Sequence, residues 1–274
     1  MVSTEVLKSK VQYQSEIKYL KQIKKNCQKM ILEMHKTANV GHIGASLSCL
    51  DILLWLFFCT MKETDKCILS KGHAASALYS TLAETGRIPK EMLDTFYKEG
   101  TMLAAHPPCN GTIAEIPFGT GSLGHGLSLA SGFAFSQRYT GKKYNVYCII
   151  SDGDCNEGST WEAAMFAAQH KLENLTVIVD YNCLQGFGFS KDIINLEFID
   201  EKFRSFGFET LVANNGNNFE DLENAYKNLS FGKPRCIIAK TTKGSGISFM
   251  ENKLEWHYLP MNEEQYQQAI NEVL

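Results

Sequence analysis

The sequence predicts an α/β protein with a doubly wound, mostly parallel sheet, and three observations carry that expectation. Short apolar runs at 146–150, 175–179 and 235–240 alternate with segments of helical period, the pattern of strands joined by crossover helices. Two of the runs end in polar residues, Asp152-Gly153-Asp154 and Asp180-Tyr181-Asn182, as strands do at the edge where α/β sheets bind ligands. Finally, 274 residues with 44% hydrophobic and 21% charged content suit one large domain with a sizeable core.

Residues 5–38 read as a long Lys- and Gln-rich helix whose polar first half belongs on the surface or against a partner. A core helix at 47–59 follows, then a short strand at 67–69 running into Ser70-Lys71-Gly72-His73. Helices are expected at 74–86 and 90–98, the second opened by Pro89. Residues 100–120 form a Pro- and Gly-rich loop, and a helix of small residues at 123–140 stops at Gly141. The strand at 146–150, a helix at 157–171 and the strand at 175–179 form the centre. Beyond it come a loop at 186–194, a helix at 197–206, a strand at 208–213, a helix at 219–229 and the strand at 235–240, which ends the sheet. The tail is loop and a short polar helix. With no repeat or linker, the chain reads as a single domain, 1–274, with an N-terminal helical extension.

A net charge of −3 gives no basic excess for nucleic acid and no polybasic or amphipathic membrane anchor. The longest apolar run, 49–59, contains Asp51 and is too short to span a bilayer, and the N-terminus lacks a signal-peptide core. Nine cysteines occur without a C-x-x-C, and Cys148 and Cys236 lie in strands; reduced thiols in the cytoplasm are expected.

Asp152 and Asn182 end two strands joined by one helix, which puts hard oxygen donors side by side, as Mg²⁺ needs. The N–H groups of the Gly158-Ser159 turn can receive a diphosphate. A bare Asp-Gly pair would equally suit a helix N-cap; the whole span through Asn182 points to a magnesium diphosphate site. Five of the seven histidines, His42, His73, His106, His125 and His257, sit in loop sequence, without the close helical spacing of common zinc sites. Gly119-Thr120-Gly121-Ser122-Leu123-Gly124 matches G-x-G-x-x-G, yet Pro117 spoils the strand that a dinucleotide fold needs before it.

The span from Asp152-Gly153 to Asn182 resembles the signature of thiamine diphosphate enzymes, with Ser151 where the motif usually begins with Gly. The flanking segments resemble the transketolase branch: Gly41-His42-Ile43-Gly44, Ser70 to Ala74, His106-Pro107, the run Lys240 to Gly246, and Trp256-His257. The resemblance covers roughly 20–260. It implies thiamine diphosphate and Mg²⁺ as cofactors, with Asp152, Asn182 and the Leu184 carbonyl as metal ligands. Gly153, Asp154 and Asn182 would meet the cofactor, Gly121 and Leu123 its aminopyrimidine, and Glu157 the subunit interface beside it. His42, His73, His106 and His257 would act on sugar hydroxyls, the second and fourth also near the diphosphate. His125 stands where the family commonly has Gln, and Cys109 lies in a stretch that departs from the family pattern.

The resemblance further implies transfer of a two-carbon ketol unit from a ketose to an aldose. A full transketolase continues into a pyrimidine-binding domain, with its activating glutamate, and a C-terminal domain. The expectation is therefore a split transketolase whose second chain carries them, with at least two copies of each chain. A related thiamine enzyme, resembling 1-deoxyxylulose-5-phosphate synthase or a 2-oxo acid dehydrogenase component, is disfavoured by the histidine segments. A noncatalytic regulator would not need Asp152, Asn182 and four histidines, and an NAD module rests only on the weak glycine match.

Overall fold

The computed structural model describes the backbone of residues 4–274 apart from 110 and 112, with side chains from Glu16 onward. Five parallel strands, β1 (Lys66–Leu69), β2 (Val146–Ser151), β3 (Leu175–Tyr181), β6 (Glu209–Ala213) and β7 (Arg235–Lys240), form one sheet in the order β1-β2-β3-β7-β6. The last strand in the chain thus lies inside the sheet, and β6 forms its edge.

Alternation along each central strand feeds two separate cores. Tyr147, Ile149, Ile178 and Ile237 face α1 (Thr4–Ala38), α2 (Ile43–Trp55), α3 (Ala75–Glu84), α8 (Phe219–Lys227) and α9 (Glu263–Val273). Cys148, Ile150, Val177, Val179 and Ile238 face α4 (Gly126–Thr140), α5 (Gly158–Gln169) and α7 (Ile199–Ser205). Strands buried on both faces need apolar residues at every position, which is why these runs read as continuous rather than alternating.

Several boundaries differ from the sequence expectation. The core helix begins at Ile43, four residues early, because His42 turns the chain in the left-handed region (φ 71°) at its cap. It continues past Trp55 as a π-helical turn, Leu56–Thr60. The combined apolar helix, 18 residues, is therefore long enough to cross a membrane by length and composition, contrary to the reading of 49–59. With 83% of it buried inside the fold, it is a core element. The expected helix at 90–98 is a 3-10 helix, Lys90–Thr95, cut short before Tyr97 takes φ 64°. The loop at 186–194 is instead ordered as a hairpin, β4 (Leu184–Gln185) with β5 (Gly188–Phe189), and a short helix α6 (Ser190–Ile193). The polar first half of α1 falls largely outside the described side chains; from Leu20 the helix is packed into the core through Ile23, Cys27, Ile31 and Leu32.

Candidate active site

Register fixes the site's floor. Ser151 pairs with Asp180 across β2 and β3, and Asp180 with Ala239 across β3 and β7, so three strand ends finish level. Asp152 and Asn182 follow immediately. Both line a cavity of about 280 Å³ together with Leu184, Gly153, Gly121, Leu123 and the histidines His42, His73, His106 and His257.

The loop after β3 is built to aim several oxygens at one place. Asn182 Oδ1 accepts the Leu184 N–H (3.0 Å), an Asx turn, and Cys183 between them takes φ 61°. Asn182 Nδ2 donates to Ser48 Oγ (3.0 Å), which holds the amide oxygen's orientation. Asp152 Oδ1 accepts the Gly153 N–H (3.0 Å) and Oδ2 accepts Ser190 Oγ–H (2.5 Å). Burial raises the Asp152 pKa, and the neighbouring Asp180 carboxylate adds to it, while Ser190 and Lys71 oppose.

The donor set of one carboxylate, one amide oxygen and one main-chain carbonyl suits a hard cation that completes its shell with water and phosphate oxygens. The Leu184 carbonyl already attracts a cation, since Lys243 Nζ donates to it (2.8 Å). Among the described residues no three His, Cys, Asp or Glu side chains converge to hold a metal by themselves. Mg²⁺ shared with a diphosphate therefore fits these residues.

Two buried lysines stand under the cavity and were missed in the sequence, where their segments were read only for histidines. Lys71 Nζ contacts Asp180 Oδ2 and donates to the Ala45 carbonyl (3.2 Å). Burial works against its charge, but Asp180, with Cys49 and Asp152, outweighs it and the pKa rises. Asp180 is held in turn by Ser48 Oγ (2.8 Å) and Thr241. Lys243 lacks a carboxylate partner at bonding distance. Burial and then the Lys71 charge pull its pKa down to about 8, against Asp152 and Asp180. Among the described cations of the lining, it is the one free to meet an anionic ligand.

The four histidines converge. Ring centroids lie 5.1 Å apart for His42 and His257, 5.6 Å for His42 and His73, 5.5 Å for His73 and His257, and 6.3 Å for His42 and His106. The His42 N–H donates to the His257 carbonyl (3.0 Å), and a Cβ on Gly41 would stand 2.3 Å from the Tyr258 carbonyl oxygen. Only glycine there lets the C-terminal segment close over α2. Gly121 has φ 139°, and a Cβ on it would strike His106 Cδ2 at 2.6 Å.

Burial lowers the pKa of all four imidazoles: His42 (then His106 and Lys243), His73 (well below its usual value, with Lys71 next), His106, and His257 (to about 3, with Lys243 next). They are neutral, each with one donor and one acceptor. Lys243 donates to His257 Nδ1 (2.9 Å), which leaves the proton on Nε2.

Other expected residues lie apart. Asp154 is fully buried and turned from the cavity. It accepts from Ser70 Oγ (2.6 Å), the Gly124 N–H (2.7 Å), and the N–H (2.7 Å) and Oγ–H (2.8 Å) of Ser151. Glu157 is exposed and off the lining. The α5 N-terminus, expected to receive the diphosphate, is covered: Ser159 Oγ donates to the Gly124 carbonyl (3.0 Å), and a Cβ on Gly124 would lie 2.5 Å from Glu157 Cβ. His125 is exposed at the start of α4, and Cys109 packs on Gly119, where a Cβ would meet it at 2.5 Å.

The transketolase thiamine diphosphate binding domain model matches residues 21–273. One of the two chains of an apulose-4-phosphate transketolase from Phocaeicola vulgatus is 38% identical over 256 residues, covering 89% of this chain and 90% of its own. A 6-deoxy-6-sulfo-D-fructose transketolase subunit of Clostridium sp. is 39% identical over 256 residues, covering 89% and 92%. The crystal structure of Campylobacter jejuni transketolase superposes with a TM-score of 0.83 at 32% identity, over 93% of this chain but only 43% of that one. The chain thus spans about two-fifths of that solved enzyme and nine-tenths of the two subunits. It belongs to the transketolase family of transferases, as the domain that binds thiamine diphosphate.

Proposed function

We propose that this chain is the diphosphate- and metal-binding subunit of a two-chain transketolase that moves a two-carbon ketol unit from a ketose to an aldose. The observation that carries the reading is the group of four neutral imidazoles above an oxygen-donor floor. Similarity to chains that are themselves named as transketolase subunits, over nine-tenths of their length, supports the two-chain form.

Asp152, Asn182 and the Leu184 carbonyl would hold Mg²⁺, with Gly153 beside the diphosphate and Lys243 neutralising it. Gly121 and Leu123 would support the aminopyrimidine. Thiamine diphosphate, when bound, supplies the nucleophilic carbon and electron sink that cleavage beside a carbonyl requires. His42 and His106 would hold sugar hydroxyls, and His73 and His257 would also reach the diphosphate end. A neutral imidazole can take a proton from a hydroxyl and return one to the alkoxide oxygen of the departing aldose. The relatives' names carry sugars with a phosphate or sulfonate end. Here the described cations of the lining, Lys71 and Lys243, stand at the floor, so the partner chain would read an anionic tail.

We read residues 1–274 as one diphosphate-binding domain, assembled with at least two copies of each chain. Nine cysteines, all thiols, support a reducing cytoplasmic setting. The test is to purify the chain alone and with a second chain carrying the pyrimidine-binding domain, then measure thiamine C2–H exchange and ketol transfer. Activity is expected only in the pair. Full activity of the isolated chain overturns the two-chain reading.

A further inference from the structure

We propose that Ser190, oriented by Gln185, fixes Asp152 as a one-oxygen metal ligand and thereby selects Mg²⁺ over Ca²⁺. The inference rests on the assignment of Asp152 as a metal ligand made above. Ser190 opens α6 and is 1% exposed. Its N–H donates to the Cys183 carbonyl (2.9 Å), which ties it to the turn carrying Asn182 and Leu184. Its Oγ–H donates to Asp152 Oδ2 (2.5 Å), and Ser190 Oγ in turn accepts Gln185 Nε2–H (3.2 Å). The acceptor role leaves the hydroxyl proton for Asp152.

A carboxylate offers about four lone-pair sites on two oxygens. Here Oδ1 already receives the Gly153 N–H and Oδ2 the Ser190 hydroxyl. Held at both oxygens, the carboxylate cannot swing to chelate symmetrically, so one oxygen is presented. Mg²⁺ demands a compact, near-ideal octahedron and takes single oxygens, whereas Ca²⁺ accepts larger, irregular shells and bidentate carboxylates. Ser190 is thus a positioning residue. It also couples the two metal-bearing strand ends, because it is bonded to the turn after β3 and to the carboxylate after β2.

The test measures Mg²⁺ and Ca²⁺ affinity by calorimetry at saturating thiamine diphosphate, on the full chain in its complex. Ser190→Ala deletes one oxygen and is expected to weaken Mg²⁺ by about 10- to 100-fold, the usual effect of removing a bond that orients a metal ligand. Ca²⁺ is expected to weaken less, so the Mg²⁺/Ca²⁺ preference falls. Gln185→Leu should shift it in the same direction, less strongly, and keeps the test open if Ser190→Ala folds poorly. Asp152→Asn serves as the control. If it binds Mg²⁺ like the wild type, the metal-ligand assignment itself fails. If it loses Mg²⁺ while Ser190→Ala keeps wild-type affinity, or while both metals weaken in proportion, the positioning role is wrong.

Discussion

Asp152 and Asp154 are two residues apart and do opposite work: the first turns its carboxylate into the cavity, the second away from it into four hydrogen bonds. The contrast divides the motif into a ligand and a staple, and mutation should separate the two.

Asp154→Ala strands Ser70 Oγ, the Gly124 N–H and the Ser151 N–H, each buried. At about 1–3 kcal/mol for each unpaired donor, the variant should lose at least about 3 kcal/mol of stability. Urea unfolding in EDTA measures this, and wild-type stability would contradict the staple.

Asp152→Ala should instead leave unfolding in EDTA close to wild type, since burial already disfavours its charge. Metal-dependent binding of thiamine diphosphate should be largely lost, with Asn182→Ala weaker in effect. Calorimetry of the assembled complex decides between these outcomes.

Lys243→Met keeps the length of the side chain and removes the cation beside the Leu184 carbonyl and His257. Thiamine diphosphate should bind more weakly by at least about 1.5 kcal/mol, the lower end for a hydrogen bond to a charged group. Fluorescence titration reads the change; unchanged affinity would place the diphosphate elsewhere.

Single alanine replacements of the four histidines should each lower kcat/KM, by about 2–4 kcal/mol where a transition-state hydrogen bond is lost. Cofactor affinity should survive better in His42→Ala and His106→Ala than in His73→Ala or His257→Ala. Steady-state kinetics beside cofactor titration tests both halves of the statement.

His35 lies buried outside the site, its Nε2 2.8 Å from Ser76 Oγ, which donates to Ser46 Oγ (2.7 Å). Burial lowers its pKa from 6.5 to about 4, so the folded state holds it neutral. The stability this gives is complete above 6.5 and drains as pH falls toward about 4, to a limit of roughly 3 kcal/mol. Unfolding measured across that window should show the decline, and His35→Gln should flatten it.

The fold was legible wherever the signal was local. The run at 235–240 is a strand with those same limits, and the apolar runs before Asp152 and Asn182 put both at one sheet edge. The helix at 47–59 was misplaced because the turn at His42 depends on the C-terminal segment, more than two hundred residues away, whose carbonyl receives its N–H. The same distance in sequence hid the polar framework. Lys71 meets Asp180 across 109 residues, and Ser190 meets Asp152 across 38. Asp154 misled for a related reason: its position in the motif suggested a ligand, while its partners sit on the loops after β1 and before α4.

The level finish of β2 and β3 sets the span between the two ligand-bearing turns at the interstrand spacing, about 4.8 Å. That span belongs to the backbone ladder rather than to any side chain, so it cannot be widened without breaking the sheet. The mouth is made differently. Phe187 stands 87% exposed at the tip of the β4–β5 hairpin, and Tyr258 donates to the Gly186 carbonyl (2.8 Å) to hold that tip. Redesign for a different sugar is therefore a matter of exchanging a short hairpin and one aromatic strut, with the chemistry underneath left as an interchangeable base.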